Sequence, residues 1–158
     1  MSTSFEDLRV LKTAEEIADA VWKRVVQWED FPKDVVGKQM ARSTDSIGAN
    51  IAESFGRFNF GEKLQFLYYA RGSLFETKYW LNRARARGLM SSSDIQEYVT
   101  SLTNVARQLN AFAESLKTQR SSGKIKTIRE LAAEYNAVLP DDFPETVFDE
   151  SDLAWLQS

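Results

Sequence analysis

Apolar residues recur along much of this chain at alternating spacings of three and four. This spacing puts apolar side chains on one stripe of an α-helix, and in a bundle the stripes meet along a shared core seam. The pattern predicts helices over residues 5–29, 33–55, 60–87 and 91–119. The predicted seam residues are Leu11, Ala14, Ala18, Val21, Val25 and Trp28; Val36, Met40, Ile47, Ile51 and Phe55; Leu67, Ala70, Leu74, Thr77, Leu81 and Ala84; and Ile95, Val99, Leu102, Ala106, Leu109, Ala113 and Leu116.

The segments between these helices are short and rich in helix-breaking residues. Asp30-Phe31-Pro32 interrupts the first pair, because proline lacks an N–H and restricts the residue before it. Gly56 and Gly88 are natural C-terminal stops. Short connections favour antiparallel neighbours, and no sustained alternation indicates a strand. We therefore predict an all-α fold, an antiparallel up-down four-helix bundle over residues 1–120.

Residues 121–158 read as a C-terminal extension. A short helix over 124–137, a proline-containing segment over 139–144 and a terminal turn capped by Ser151 are predicted there. The extension has a net charge of −5 against +2 for the first 120 residues, which together give the −3 of the whole chain.

One residue of the second helix, Gly48, suggests a close approach of another backbone, because glycine costs about 1 kcal/mol relative to alanine inside a helix.

The composition excludes several kinds of active site. The chain has no cysteine and no histidine, which rules out disulfides, thiolate nucleophiles, Ser-His-Asp triads and the common zinc sites. We predict no catalytic residue, metal or cofactor, and keep a magnesium-dependent enzyme only as a distant alternative. No apolar run approaches the ~20 residues that span a bilayer, and the N-terminus lacks a signal-peptide pattern. A cytoplasmic protein without membrane contact is expected.

The third predicted helix has more aromatic residues than one bundle core uses. Surplus aromatic surface usually marks a subunit interface, and the alternative is a wide core with rings half-buried at its edge. We predict a homo-oligomer. Its candidate interface residues are Trp22, Phe66, Tyr69, Phe75, Tyr79, Trp80 and Phe112.

Basic residues cluster late in the same helix. Such a cluster can hold phosphates, or it can be a solvated face whose arginines complement the negative end of the helix dipole. The candidate nucleic-acid-binding residues are Lys78, Arg83, Arg85, Arg87 and, further up, Arg71.

Three residues near the end of the second helix are interpreted as structural. Glu53 and Arg57 are four apart and can pair on the helix surface. Asn50 lies beside the seam, where a buried amide fixes helix register.

The chain ends in a mixture of acids and large apolar residues. This tail is either a docking peptide for another protein or a segment that folds back onto its own bundle or a neighbouring subunit. Its candidate docking residues are Phe148, Leu153, Trp155 and Leu156.

Several motifs resemble one known family. The stretch Ser46-Ile47-Gly48-Ala49-Asn50-Ile51-Ala52-Glu53-Ser54-Phe55-Gly56-Arg57 is similar to the signature of the four-helix-bundle proteins encoded in intervening sequences of bacterial 23S ribosomal RNA genes, with Ser54 where the pattern usually has glycine. The similarity continues in Phe66-Leu67-Tyr68-Tyr69-Ala70-Arg71-Gly72-Ser73-Leu74-Phe75-Glu76, in Phe5-Glu6-Asp7-Leu8, and in Phe31-Pro32 with Gln39 and Arg42. Residues 5–119 are covered, and the acidic extension is not.

The resemblance implies a homopentamer. It also brings in a relative, the accessory variability determinant of diversity-generating retroelements, a pentamer that binds a reverse transcriptase and nucleic acid. By analogy we expect a non-enzymatic accessory or scaffold protein that works with a nucleic-acid-processing partner such as a reverse transcriptase and contacts RNA or DNA. The rival hypothesis is a protein-interaction module that uses the tail and binds no nucleic acid.

Overall fold

The computed structural model describes residues 5–121 and 146–158, with side chains from residue 9 to 119 and from 146 onward. The described residues form helices and no strands, as the sequence predicts. The elements in chain order are α1 (Phe5–Val25), α2 (Asp30–Pro32), a π-helical turn (Lys33–Gly37), α3 (Lys38–Gly56), α4 (Phe60–Ala86), α5 (Ser92–Ser121) and α6 (Glu150–Gln157).

The long helices bury the stripes that the apolar spacing predicts. Every predicted seam residue of α4 and α5 is buried, and so are Val36, Met40, Ile47 and Ile51. The first helix differs by one residue in part of its stripe. Val10 and Ile17 lie in the core, whereas the predicted Leu11 and Ala18 are only half-buried. In a helix of 3.6 residues per turn, both neighbours lie near the same stripe, so spacing alone does not choose between them.

Each long helix packs on two others. α1 packs on α3 and α5, and α4 packs on the same two helices. The contact between α3 and α4 includes a small polar layer, in which the Thr77 hydroxyl donates to Ser43 Oγ at 3.0 Å. The Asn50 amide donates to Ser73 Oγ at 3.4 Å and to the Ser46 carbonyl at 2.9 Å. These side chains satisfy one another where the two helices meet.

The turn after α1 corrects the predicted boundaries. The helix ends at Val25 rather than near residue 29, and the predicted break at Asp30–Pro32 is itself helical. Pro32 is tolerated there because the N–H groups of a first turn have no intrahelical acceptor. The π-helical turn that follows was not predicted. It ends at the buried Gly37, where an added Cβ would lie 2.6 Å from Val25 Cγ1, so the close helix approach is at Gly37.

The predicted approach at Gly48 is wrong. A Cβ at Gly48 would lie 3.9 Å from Ala14 Cβ and from Leu11 Cδ1, which is ordinary contact between side chains. The stop at Gly88 is confirmed, because this residue has a φ of 73° directly after Arg87, the C-cap of α4. The Asn59 side chain caps the start of α4 by accepting from Gly61 N at 2.8 Å.

The extension is described only from residue 146. The predicted helix over 124–137 and the proline segment over 139–144 lie outside the described residues. The terminal helix, α6, is capped by Asp149 rather than by Ser151. Asp149 and Asp152 form a reciprocal capping box, in which each side chain accepts from the other residue's backbone N–H.

Candidate interaction surfaces

The basic residues predicted to bind nucleic acid do not share one surface. Lys78 is fully buried, and its Nζ has no hydrogen-bond partner among the described residues. Burial lowers the pKa of Lys78, and the charge of Arg85 lowers it further. Its place among the candidate phosphate contacts is therefore corrected, because it sits inside the packed helices.

Arg71 is committed to another part of the chain. Its Nη2 is 3.1 Å from Asp152 Oδ1 of the terminal helix. Its guanidinium lies 4.7 Å from the centre of the Phe75 ring and 5.9 Å from that of Phe148. The prediction that Arg71 binds phosphate is corrected, since a carboxylate and two rings already surround it.

The remaining basic residues lie at the C-terminal end of α4. Arg83 is half-buried over the Tyr79 ring at 5.9 Å, and its buried Nε has no hydrogen-bond partner within the described part of the chain. Arg85 and Arg87 are exposed. The predicted basic cluster is thus reduced to Arg85 and Arg87, with Arg83 at its edge.

The aromatic residues predicted to form an interface divide into two groups. Trp22, Tyr69 and Tyr79 are 60%, 49% and 51% exposed. Phe66 and Trp80 are half-buried beside them, the first edge-on to Tyr69 at 5.4 Å and the second edge-on to Tyr79 at 5.1 Å. These five residues leave ring surface open on α1 and α4.

Two of the predicted interface residues are covered by their own chain. Phe112 is 3% exposed because it stacks on Phe55 with ring centres 5.0 Å apart. Phe75 stacks on Phe148 at 6.0 Å and on Trp155 at 5.1 Å. These two positions are corrected, since their rings have little surface left for a second subunit.

Other apolar residues near the turn after α1 are also exposed, and sequence reasoning missed two of them, Phe31 and Val35. Val26, Phe31 and Val35 are 46%, 77% and 41% exposed. Val26 follows Trp22 by four residues just beyond the end of α1, and Val35 follows Phe31 by four across α2 and the π-helical turn. That spacing was the available signal.

The three motif residues make local contacts. Glu53 and Arg57 form the predicted ion pair at the end of α3. Arg57 also lies over the Phe66 ring at 4.8 Å, and Asn50 bonds across to α4. These contacts suit the structural role predicted for the motif.

The tail, defined here as residues 146–158, folds back onto its own chain. Phe148 and Leu156 are buried, Leu153 is half-buried and Trp155 is 40% exposed. The docking role predicted for Phe148 and Leu156 is corrected, because their side chains are already covered. The side chain of Asn110 on α5, which sequence reasoning missed, binds the main chain of the tail. Its amide nitrogen donates to the Phe148 carbonyl and its amide oxygen accepts from the Phe148 N–H, both at 2.8 Å.

An open groove lies between α1 and α3. Small residues line it, including Ala14, Gly48 and Ala52. Asp19 and Asp45 also line it, and burial together with the charge of Asp19 raises the pKa of Asp45. Over the described ranges no group of three or more acidic side chains is arranged to hold a metal ion.

None of the helices in the described part of the chain is long and apolar enough to cross a membrane.

The model of a protein family described as "23S rRNA-intervening sequence protein" matches residues 6–111, about two thirds of the chain. No curated protein matches the chain. The match contains all of α3 and α4, whereas the tail and Phe112 lie outside it.

Proposed function

Since this chain belongs to the 23S rRNA-intervening sequence protein family, we propose that it is a non-enzymatic protein that works by assembling with copies of itself into a ring-shaped scaffold. The observation behind the proposal is the exposed aromatic surface on α1 and α4. The closed ring, and its five subunits, come from the family resemblance. A cytoplasmic location belongs to the same proposal, since the sequence has no cysteine for the disulfides common in secreted proteins.

We take the four long helices to form an antiparallel up-down bundle. Arg24, near the end of α1, pairs with Asp94 at the start of α5. Thr77, late in α4, pairs with Ser43, early in α3. In each case the end of one helix meets the beginning of another, which is the relation that antiparallel packing produces.

The exposed rings lie on two helices that do not share a side of such a bundle. Because α1 and α4 pack on the same two helices, they occupy opposite corners. Trp22 is exposed on α1 and Val26 in the turn directly after it, and Tyr69 and Tyr79 are exposed on α4. Two different patches on opposite sides favour head-to-tail contacts, and such contacts generate a ring when the rotation closes.

The test uses one charge substitution on each patch. Wild-type protein is expected to be oligomeric by light scattering, whereas Trp22→Glu and Tyr79→Glu should each be monomeric, because a buried unpaired carboxylate at a contact is costly. Phe58→Glu is the matched control, since Phe58 is 68% exposed but lies in the turn before α4. It should assemble normally.

Mixing the two variants tests the head-to-tail arrangement. Trp22→Glu keeps an intact α4 patch and Tyr79→Glu keeps an intact α1 patch, so one contact can form and the mixture should contain a heterodimer. Self-association of either variant alone would indicate that a patch pairs with itself. A monomeric wild-type protein at ordinary concentrations would overturn the proposed assembly.

A second candidate function is nucleic-acid contact through the end of α4. Arg85 and Arg87 are exposed there, and each copy of an assembly would repeat them. In this version the scaffold serves a nucleic-acid-processing enzyme, with a reverse transcriptase suggested by the resemblance to retroelement accessory proteins.

RNA binding measured across a salt series tests this version. Arg85→Gln with Arg87→Gln should weaken binding and reduce the salt slope by about 2 per subunit engaged. Arg107→Gln changes an exposed arginine on α5 and should have little effect. Absence of binding by the wild-type protein at low salt would remove nucleic acid from the proposal and leave the assembly intact.

A further inference from the structure

The tail-binding surface consists of Arg71 and Phe75 on α4 and Asn110 on α5. It recognises three features of the tail. Asn110 forms both of its hydrogen bonds with the main chain of Phe148, Arg71 pairs with the Asp152 carboxylate, and Phe75 stacks on the aromatic rings at positions 148 and 155.

These contacts require only a few side chains at fixed spacings, so other peptides with the same spacing can make them. A main-chain clamp accepts any non-proline residue, so the specificity comes from an aromatic ring, a carboxylate four residues later and a second ring three residues after that. The capping box between Asp149 and Asp152 lies within the tail itself. The peptide therefore brings its own helix start and needs nothing from the surface to form it.

The surface favours an acidic ligand. Arg71 is the cation of this surface, and its Nη2 pairs with Asp152 Oδ1 of the tail at 3.1 Å. The rings of Phe75 and Phe148 lie beside the same guanidinium, so a carboxylate is the charged group that complements this side of α4.

We propose that the tail-binding surface is a docking site for an acidic, aromatic peptide of a partner protein, and that the chain's own tail competes for it. The partner segment would present an aromatic residue to Asn110 and Phe75 and an aspartate or glutamate four residues later to Arg71. The tail is suited to displacement, because it ends in a helix of two turns and its Trp155 is 40% exposed. In the rival hypothesis from sequence the tail meets the partner, whereas here the partner takes the place of the tail.

Fluorescence anisotropy with a labelled synthetic peptide of residues 146–158 tests the site on full-length protein. Phe148→Ala in the protein should weaken docking of its own tail and leave the surface intact. The peptide should then bind this variant about tenfold or more tightly than it binds wild type, because the fraction of open surface scales the apparent affinity. Equal binding to the two proteins would overturn the proposal.

Reversing the charges of Arg71 and of peptide position 152 tests the ion pair, because rescue by the exchanged peptide shows that the variant protein is still folded. In the Phe148→Ala background, Arg71→Glu should abolish binding of the natural peptide and allow binding of a peptide carrying Asp152→Arg. Arg87→Glu is the matched control, since it reverses a charge on exposed surface near the end of α4 and should change nothing. Loss of binding without rescue by the exchanged peptide would contradict recognition through this ion pair.

A cysteine experiment separates a partner's peptide from the tail of a second copy. The chain has no native cysteine, and Phe75 and Trp155 are in contact. An oxidised mixture of Phe75→Cys and Trp155→Cys proteins should remain without disulfide-linked pairs. Efficient linkage between chains would assign the surface to the neighbour's tail and overturn the proposal, whatever the outcome of the assembly test.

Discussion

Asn110 binds both the N–H and the carbonyl of Phe148 at 2.8 Å, so one side chain of α5 satisfies both main-chain polar groups of this tail residue. Phe148 itself is 1% exposed. Buried main-chain groups left without partners are costly, and this pair therefore decides whether the tail stays in place.

Replacing Asn110 with leucine should release the tail without unfolding the body. Leucine has nearly the same size but cannot pair, and each buried group left unsatisfied costs about 1–3 kcal/mol. Hydrogen exchange at the Phe148 amide should become roughly 5- to 150-fold faster, while exchange in the core of α4 stays unchanged. Asn104→Leu, at an exposed position of the same helix, is the control. An unaltered Phe148 amide would show that the ring stack alone holds the tail.

The contact between α1 and α5 predicts a dependence of stability on acid. Arg24 bonds Asp94 at 3.1 Å and the Tyr98 hydroxyl at 3.3 Å. The pKa of Asp94 is lowered first by the hydrogen bond from the Ser91 N–H and then by other contacts that include Arg24. A carboxylate with a lowered folded-state pKa stabilises the protein above its ordinary pKa of 3.8, and the contribution disappears as the pH falls through the lower folded value.

Asp94→Asn should consequently lower the melting temperature at pH 7. The difference from wild type should narrow as the pH falls below 3.8 toward the folded-state value, because wild type then loses the same charge. Thermal melts at fixed protein concentration measure both effects, and Glu97→Gln on the exposed face of α5 is the control. A difference that stays constant down to the lowest pH would show that Asp94 acts through shape alone.

Much of the fold follows from spacing along the chain. The stripes of α4 and α5 are buried as predicted because seven-residue repeats over three or more turns leave one solution for which side faces the core. The stripe of α1 was placed one residue away at two positions, since Leu11 and Val10 are both apolar neighbours. Local pattern identifies the helix, and the shape of the opposing helices selects the register.

The candidate surfaces were harder to predict, because helical spacing does not show what covers a residue. The sequence pattern places Lys78 in an accessible basic cluster, yet the side chain is fully buried. Arg71 reads as a phosphate ligand, yet its carboxylate partner, Asp152, lies 81 residues later in the sequence. Contacts over such separations depend on how the tail returns to the body, and no local signal in the sequence encodes that return.

Two glycines give opposite predictions for the same substitution. A Cβ at Gly37 would lie 2.6 Å from Val25 Cγ1, a buried and stiff β-branched side chain, so Gly37→Ala should destabilise the protein by about 1–3 kcal/mol. A Cβ at the exposed Gly72 would meet none of the described atoms within 4 Å. Gly72→Ala should therefore stabilise by about 0.5–1 kcal/mol, as alanine does inside a helix.

Urea unfolding at a fixed protein concentration measures both substitutions, since a change in midpoint at constant slope reports stability. A neutral Gly37→Ala would mean that the helices shift apart at the π-helical turn at little cost. That result would also remove the explanation offered here for glycine at the end of the turn.

Replacing Lys78 with an apolar residue should increase the free energy of unfolding. Lys78 is fully buried and finds no hydrogen-bond partner among the residues that the structure describes, and such a charge opposes folding. Apolar replacement of buried ion pairs stabilises other proteins by about 1–4 kcal/mol. Lys78→Met keeps a similar length and should raise the free energy of unfolding at pH 7, whereas Lys12→Met, at an exposed position, should not. The pKa of Lys78 is lowered in the folded chain, so between the folded-state pKa and the ordinary value the unfolded chain binds more protons than the folded chain. The free energy of unfolding of wild type therefore rises with pH in this range. The stability difference between Lys78→Met and wild type should shrink as the pH approaches the ordinary lysine pKa of 10.5. If Lys78→Met instead destabilises the protein at every pH, the ammonium has an anionic partner in the assembled protein.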